Sequence, residues 1–189
     1  MDTFMRHKII FYRPCYPLFM SGKSSNSSPV NIELLTADQW ARLRDIRLRA
    51  LKENPEAFGA KYDEAVNFNE EEWKAGFLKE DYLVGSVGGV DVGMLYIEVL
   101  NGDHGATCWI GGCWTDIKFR GNGVMRALFD FINKHASEKG WQRQGLGVWT
   151  HNQLAIAAYE SLGFSKVGEK MASTSNPGMY FQHMVRGSI

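Results

Sequence analysis

Cysteine is scarce in this chain, and net charge is missing altogether. Only Cys15, Cys108 and Cys113 occur. An odd number with no CxxC pair argues against a disulfide-stapled secreted domain and fits a reducing compartment, hence a cytoplasmic protein. The five histidines are scattered and adjoin no cysteine cluster, so the ligand spacing of a structural metal site is lacking and no metal is expected. Lys+Arg and Asp+Glu balance at 21 each. No global field therefore draws the protein to nucleic acid or to an anionic membrane, neither is expected as a partner, and any anion site must be local. Long apolar runs are lacking too. The N-terminal stretch MRHKIIFYRPCYPLFMSG is broken by Arg13, Pro14 and Pro17; it is too short to span a bilayer and fits the signal-peptide template poorly.

What is present is ordinary globular usage. The chain has 189 residues, 44% hydrophobic and 22% charged, which favours one domain with a real core. The run SGKSSNSSP reads as a flexible linker, so residues 1–29 are expected to form a tail and residues 30–189 the folded domain. Gly22-Lys23-Ser24 looks like the end of a P-loop, but that motif's first glycine would fall at position 17, which is proline.

Along the domain, residues 30–35 alternate like a strand. Thr36 and Gln39 form a capping box ahead of Trp40, Leu43, Ile46 and Ala50 at helical spacing, and Pro55 ends that helix. PEAFGAKYDEAVNF reads as a long, partly ordered connection. Asn69 and Glu72 cap a second helix carrying Trp73 and Phe77. YLVGSVGG, VGMLYIEVL and ATCWIGGCWTDI are strands, with GVDVG and LNGDHG as hairpin loops. A helix follows from Val124 to about Ala136, ended by Gly140; GLGVWT is a strand; Leu154 to Leu162 is a helix closed by Gly163; KVGEKM and YFQHMVR finish as strands. This order describes an α/β or α+β domain with mostly local strand connections.

Two stretches carry chemistry. FRGNGVMRAL follows a strand and opens a helix, where unpaired N–H groups and the macrodipole favour an anion. Gly121 and Gly123 let backbone approach a ligand, and Arg120 and Arg126 add charge. A Walker A motif fails because Val124 follows Gly123, and a dinucleotide fingerprint fails because its third glycine is Arg126. Thirty residues on, WTHNQLAIAAYESLGF places Asn152, Ala155 and Tyr159 on one helix face, with Ala155 and Ala158 keeping it low.

Together the two stretches resemble the GNAT acetyltransferase superfamily. Arg120, Gly123, Asn152, Ala155, Tyr159, Gly163 and Phe164 stand in that family's order and spacing, and RDIRLRALKENPEAFGAKYDEA is similar to the opening helix and acceptor-side loop of many members. One departure is Met125, where the family has Gly or Ala; its side chain would either crowd a pyrophosphate or turn toward the core.

The resemblance implies a single domain with a mixed, mostly antiparallel sheet of six to seven strands, about four flanking helices, and fourth and fifth strands that splay apart. Acetyl-CoA would lie in that opening as cosubstrate, and Gly111-Gly112 could mark a bulge beside it. Backbone groups near Trp114 and Thr115 would pair with the pantetheine arm. Arg120 and the N–H groups of Gly121, Asn122, Gly123, Val124 and Met125 would hold the pyrophosphate. Asn152 would hydrogen-bond the cofactor arm, and Tyr159 would contact the cofactor and protonate the departing thiolate. The base stays open among Glu98, Asp116 and water, the favoured reading of the two carboxylates being a solvated group for Glu98 and a turn residue for Asp116. Cys108 or Cys113 as an acyl carrier would need an activating partner that the sequence does not supply. His104 and His151 read as loop residues. The resulting function is direct acetyl transfer from acetyl-CoA to an amine of a small molecule, peptide or protein, with a non-catalytic acyl-CoA-binding or sensing module as the alternative. The acceptor side would include Phe58, Lys61, Tyr62 and the final hairpin near Met179 and Tyr180. A homodimer is also in keeping with the resemblance.

Overall fold

The computed structural model describes residues 29–174 and 176–187. The readings made for the N-terminal tail, including Gly22-Lys23-Ser24, lie outside the described residues. The domain contains β1 (Asn31–Leu34), α1 (Trp40–Glu53), α2 (Tyr62–Ala65), α3 (Glu70–Gly76), β2 (Glu80–Val87), β3 (Val90–Val99), β4 (Cys108–Thr115), α4 (Val124–Lys139), β5 (Gln144–Trp149), α5 (Gln153–Ser161), β6 (Ser165–Ala172) and β7 (Tyr180–Arg186). One seven-stranded sheet has the order β1-β2-β3-β4-β5-β7-β6. Its pairs are antiparallel except β4 with β5, which run parallel. The expected mixed sheet is therefore present, with α2 as an extra short helix inside the connection after Pro55.

Local signals place the helices. The Thr36–Gln39 capping box starts a 3₁₀ turn at Ala37, and the α-helix takes over at Trp40. Leu43, Ile46, Ala50 and Leu51 bury one stripe of α1. The helix stops at Asn54, because the residue before a proline is pushed out of the helical region. Asn69 Oδ1 accepts the Glu72 N–H at 3.0 Å and Glu72 Oε2 accepts the Asn69 N–H at 2.7 Å, the reciprocal cap of α3. Gly123 and Gly140, both left-handed, bracket α4.

The β2–β3 hairpin turns one step earlier than the sequence suggested. Gly88 and Gly89 have φ of +58° and +82°, and Val87 pairs with Val90 across them. Two consecutive positive-φ glycines suffice for a two-residue turn, so Val90, Asp91 and Val92 belong to β3 rather than to a GVDVG loop.

Two cores lie on opposite faces of the sheet. Leu95, Ile97, Cys108, Ile110 and Leu146 pack under α4 and α5 against Leu128, Phe129, Ile132 and Ile156. Val84, Met94 and Trp114 pack under α1 and α3 against Leu43, Ile46, Ala50 and Trp73. Trp73 is thus a core residue, and Phe77 packs against the same core.

Candidate active site

β4 and β5 pair only from Cys108–Ile110 to Gln144–Leu146. Beyond that point residues 111–115 and 147–149 share no ladder, and the two strands open into a V. A bulge in β4 accompanies the parting. Met94 pairs with Trp114 but Tyr96 with Gly111, so two residues of β4 face one of β3. Gly112 takes the odd place with φ +62°, and a Cβ on Gly111 would lie 2.2 Å from the Tyr96 ring. The glycine pair is therefore required by a positive φ and by the ring crossing it.

The ladder also fixes where backbone groups aim. Asp116 donates its N–H to Val92 C=O at 2.8 Å. Antiparallel alternation then turns Trp114 toward Met94 of β3, and the N–H and C=O of Thr115 away from β3, into the opening. Cys113, at the bulge, lies beside them.

Past β4 the chain turns through Asp116, whose Oδ1 accepts the Lys118 N–H at 2.9 Å. It is a turn residue. Gly121 and Gly123 have φ of +77° and +81°, and a Cβ on either would meet nothing within 4 Å. Residues 123–126 donate no backbone hydrogen bond to a backbone acceptor among the described residues. These amides, at the start of a sixteen-residue helix, form a ready anion nest. Asn122 spends its N–H on Phe119 C=O at 3.3 Å. Val124 turns its side chain to the core against Gly93, where a Cβ would come within 2.5 Å of it. Met125 also packs on that core, so what both present to the turn is backbone. Arg120 binds back: its Nε donates to Thr115 C=O at 3.0 Å and its Nη2 to Asn54 Oδ1 at 2.8 Å. Arg126 reaches Ser161 C=O at 3.5 Å.

Across the opening, Asn152 caps α5, its Oδ1 accepting the Ala155 N–H at 3.1 Å. Its carboxamide N–H₂ makes no hydrogen bond among the described residues. Tyr159, half-buried beside Phe129 and Phe164, lies with its hydroxyl near the Cys113 sulfur. Burial and the Cys113 sulfur hold its pKa well above the ordinary tyrosine value. Desolvation pushes the Cys113 thiol up to about 11 and the Cys108 thiol up to about 12. Neither is a ready thiolate, which argues against an acyl-cysteine.

The face toward α1 carries groups that spacing alone did not single out. Arg47 stacks its guanidinium 4.7 Å above the Phe58 ring centroid. Glu80 pairs across the strands with Glu98, and the Tyr82 hydroxyl donates to Glu80. Tyr82 and Tyr96 meet edge to face at 6.2 Å. Burial raises the pKa of Glu80, and neighbouring Glu98 raises it further. Trp149 Nε1 donates to Ala57 C=O at 3.2 Å, tying β5 to the loop that carries Phe58. Of the expected acceptor-side residues, Phe58 and Tyr62 both pack on the α1-side core, Phe58 under the Arg47 guanidinium and Tyr62 with Lys52 5.9 Å above its ring, and Tyr180 is exposed beneath Lys170. His104 sits in the β3–β4 loop in a left-handed conformation and His151 is exposed. Further across the same sheet face, Trp109, Gly147, Phe181 and His183 line a second groove of about 440 Å³.

Among the described residues no group of three or more His, Cys, Asp or Glu could hold a metal, and no helix is long and apolar enough to cross a membrane.

Residues 38–164 match the model of the acetyltransferase (GNAT) family. No curated protein matches the sequence. Among solved structures, a GNAT-family acetyltransferase of Streptococcus pneumoniae superposes with a TM-score of 0.68 at 17% identity, over 84% of this chain and 98% of its own. A putative acetyltransferase of Salmonella typhimurium, solved with its cofactor acetyl-CoA, gives 0.63 at 18% over 85% and 94%. A ribosomal-protein-alanine N-acetyltransferase of Brucella melitensis gives 0.60 at 19% over 84% and 99%. At these identities the likeness is one of fold.

Proposed function

We propose a direct-transfer mechanism on the premise that this chain belongs to the acetyltransferase (GNAT) family, whose model spans most of its domain. The protein is an N-acetyltransferase that moves an acetyl group from acetyl-CoA to an amine. The observation that carries our assignment of residues is a convergence at the β4–β5 opening. Support comes from Thr115 on the part of β4 that does not pair with β5, from the amides at the start of α4 that lack backbone partners, and from Tyr159 near Cys113 of the bulge.

The pyrophosphate would rest on the N–H groups of Gly121, Gly123, Val124 and Met125, the expected Asn122 N–H being taken by Phe119 C=O, with Arg120 bracing the turn through Thr115 and Asn54. The pantetheine arm would run along β4, pairing with Thr115 on the strand that carries Trp114, and would take a hydrogen bond from the Asn152 carboxamide. The amine nitrogen attacks the thioester carbon. The oxyanion that forms is met by a β4 N–H at the bulge. The C–S bond then breaks, and the thiolate takes the Tyr159 proton, which the tyrosine's raised pKa keeps in place until then. The amine's proton passes through water to Glu80, whose proton affinity is raised for that role. Glu98 acts on Glu80 from the opposite strand.

Free Cys108 and Cys113 support a reducing, cytoplasmic setting. The homodimer rests on family resemblance and is read by light scattering. The test of the function is thiol release from acetyl-CoA across a panel of amines, with wild type and Tyr159→Phe side by side. Amine-dependent release that collapses in the variant supports the mechanism. Saturable CoA binding without turnover of any amine would turn the assignment toward the acyl-CoA-sensing alternative.

A further inference from the structure

Arg47 is a half-buried cation without an oxygen partner among the described residues. Its Nη1 is shielded from solvent and donates no hydrogen bond. The other described arginines all have an oxygen to hold: Arg42 grips Glu33 and Asp91, Arg44 meets Asp45, and Arg49 reaches Asp91 C=O. Arg120, Arg126, Arg143 and Arg186 donate to carbonyl or amide oxygens. Arg47 has only the Phe58 ring beneath it. Holding one edge of a guanidinium out of water without an acceptor is costly, whereas an apolar side chain of similar size bears no such cost. Stability alone does not account for an arginine here.

Its position suggests what does. A Cβ on Gly112 would lie 3.2 Å from Nη1, so the guanidinium touches the β4 bulge, next to Cys113 and hence to the Tyr159 hydroxyl. The pyrophosphate nest lies beyond the far end of β4, so the anion for Arg47 is not a CoA phosphate. Phe58 covers one face of the guanidinium and leaves its edge for donors. A planar fork suits a planar carboxylate. Glu80, although in the same cleft, forms no ion pair with Arg47; its partner is the Tyr82 hydroxyl. The cleft thus keeps a cation and a carboxylate apart, the complement of a molecule carrying both an anion and an amine.

We propose that Arg47 binds the carboxylate of the acceptor, and that the acceptor is a small amine with a carboxylate close to its nitrogen, of the free amino-acid type. With the carboxylate on Arg47, an amine a bond or two away reaches the thioester at the bulge, and its proton lies toward Glu80. A protein N-terminus, whose first carboxyl is an amide, would leave Arg47 unpaired. The inference rests on the acetyl-transfer reading above.

The test measures thiol release by the full chain with matched acceptors: amino acids, their carboxamides and the corresponding amines lacking the carboxyl. Wild type, Arg47→Gln and Arg47→Lys are compared, with CoA binding followed separately by calorimetry. Wild type should prefer acid to amide in kcat/KM by roughly 10- to 100-fold, the usual worth of a hydrogen-bonded charge. In Arg47→Gln that preference should fall toward unity, mainly through KM, and Arg47→Lys should restore part of it. Amides used as well as acids by the wild type would overturn the proposal. So would an Arg47→Gln variant that loses kcat equally on every acceptor with its preference intact, the mark of a group serving the oxyanion. Saturable CoA binding with no acid turned over would sink the acceptor class and leave the cofactor site standing; no CoA binding would sink both. If Arg47→Gln does not fold, the wild-type acid-to-amide ratio still decides.

Discussion

Gly123→Ala separates a phosphate cradle from a plain turn, because the two readings predict different responses to CoA. Gly123 has φ +81° and open space where a Cβ would go. Without cofactor, alanine there meets no clash and bears only the left-handed backbone strain, about 1–2 kcal/mol. At roughly 2–4 °C per kcal/mol for a domain of this size, the melting temperature should fall by about 2–8 °C. With CoA at a hundredfold excess over Kd, binding adds about 2.7 kcal/mol to the wild type. If the new methyl holds the pyrophosphate off the α4 amides and weakens binding tenfold, the same CoA adds only about 1.4 kcal/mol. The thermal increment should then be halved. Gly123→Asn is the control: asparagine tolerates the left-handed region, so much of the stability returns, but its Cβ still stands in the cradle. Differential scanning fluorimetry with and without CoA reads all three proteins. Equal CoA increments in wild type and both variants would refute the cradle and leave the stretch as a turn.

Three further outcomes follow from the same cleft. Tyr159→Phe should lower kcat by roughly 100-fold, the lower end for a lost general acid, with little change in CoA affinity; because the tyrosine pKa is raised, the wild-type pH profile should show no alkaline limb from it below about pH 10. Cys113→Ala should keep turnover, and intact-mass spectra of wild type mixed with acetyl-CoA should show no acetylated enzyme, since a thiol held near 11 is a poor carrier; an acetyl adduct that disappears with Cys113 would reverse this. Glu80 binds its proton more tightly folded than unfolded, so between the ordinary carboxylate pKa and the raised one the native state holds more protons and stability falls as pH rises. Glu80→Gln should flatten that part of the stability curve in denaturant titrations and remove the acidic limb of kcat/KM; a limb that persists unchanged would move the base elsewhere.

Much of the fold was legible because its signals are local. The capping boxes at Thr36 and Asn69, the glycine stops at 140 and 163, and the Gly111-Gly112 pair each act within a few residues. The cofactor side was legible for a related reason: a helix N-terminus with glycines is a chemical statement made by consecutive letters. The acceptor side is assembled across the chain and was not. Glu98 stands out on its own strand, whereas Glu80, the base proposed above, is picked out only by the register that sets it opposite Glu98 and beside Tyr82. Arg47 sits in RLRDIRLRA among three other arginines that look alike. Yet a signal was present: Leu43 and Ala50 lie four before and three after it, so Arg47 falls on the buried stripe of α1. A charged residue on an apolar helix face is the pattern that would have found it.

The β4 bulge ties these two halves of the site together. Up to Ile110 the even-numbered residues of β4 face the α4–α5 core, as Cys108 and Ile110 do. Trp114 is also even-numbered but lies in the core under α1. One inserted residue reverses the side-chain parity of everything after it, and Gly112 is that residue. With the reversed parity, Trp114 Nε1 reaches Asn54 Oδ1 at 3.2 Å. The same oxygen accepts from Arg120 Nη2, at the cofactor turn. The bulge that accompanies the opening beside β5 thus also links the end of α1 to the loop that leads into α4. Arg47 rises from that same α1 to touch Gly112. A change in α1 therefore has a short covalent and hydrogen-bonded route to the turn ahead of α4, through Asn54 and Arg120.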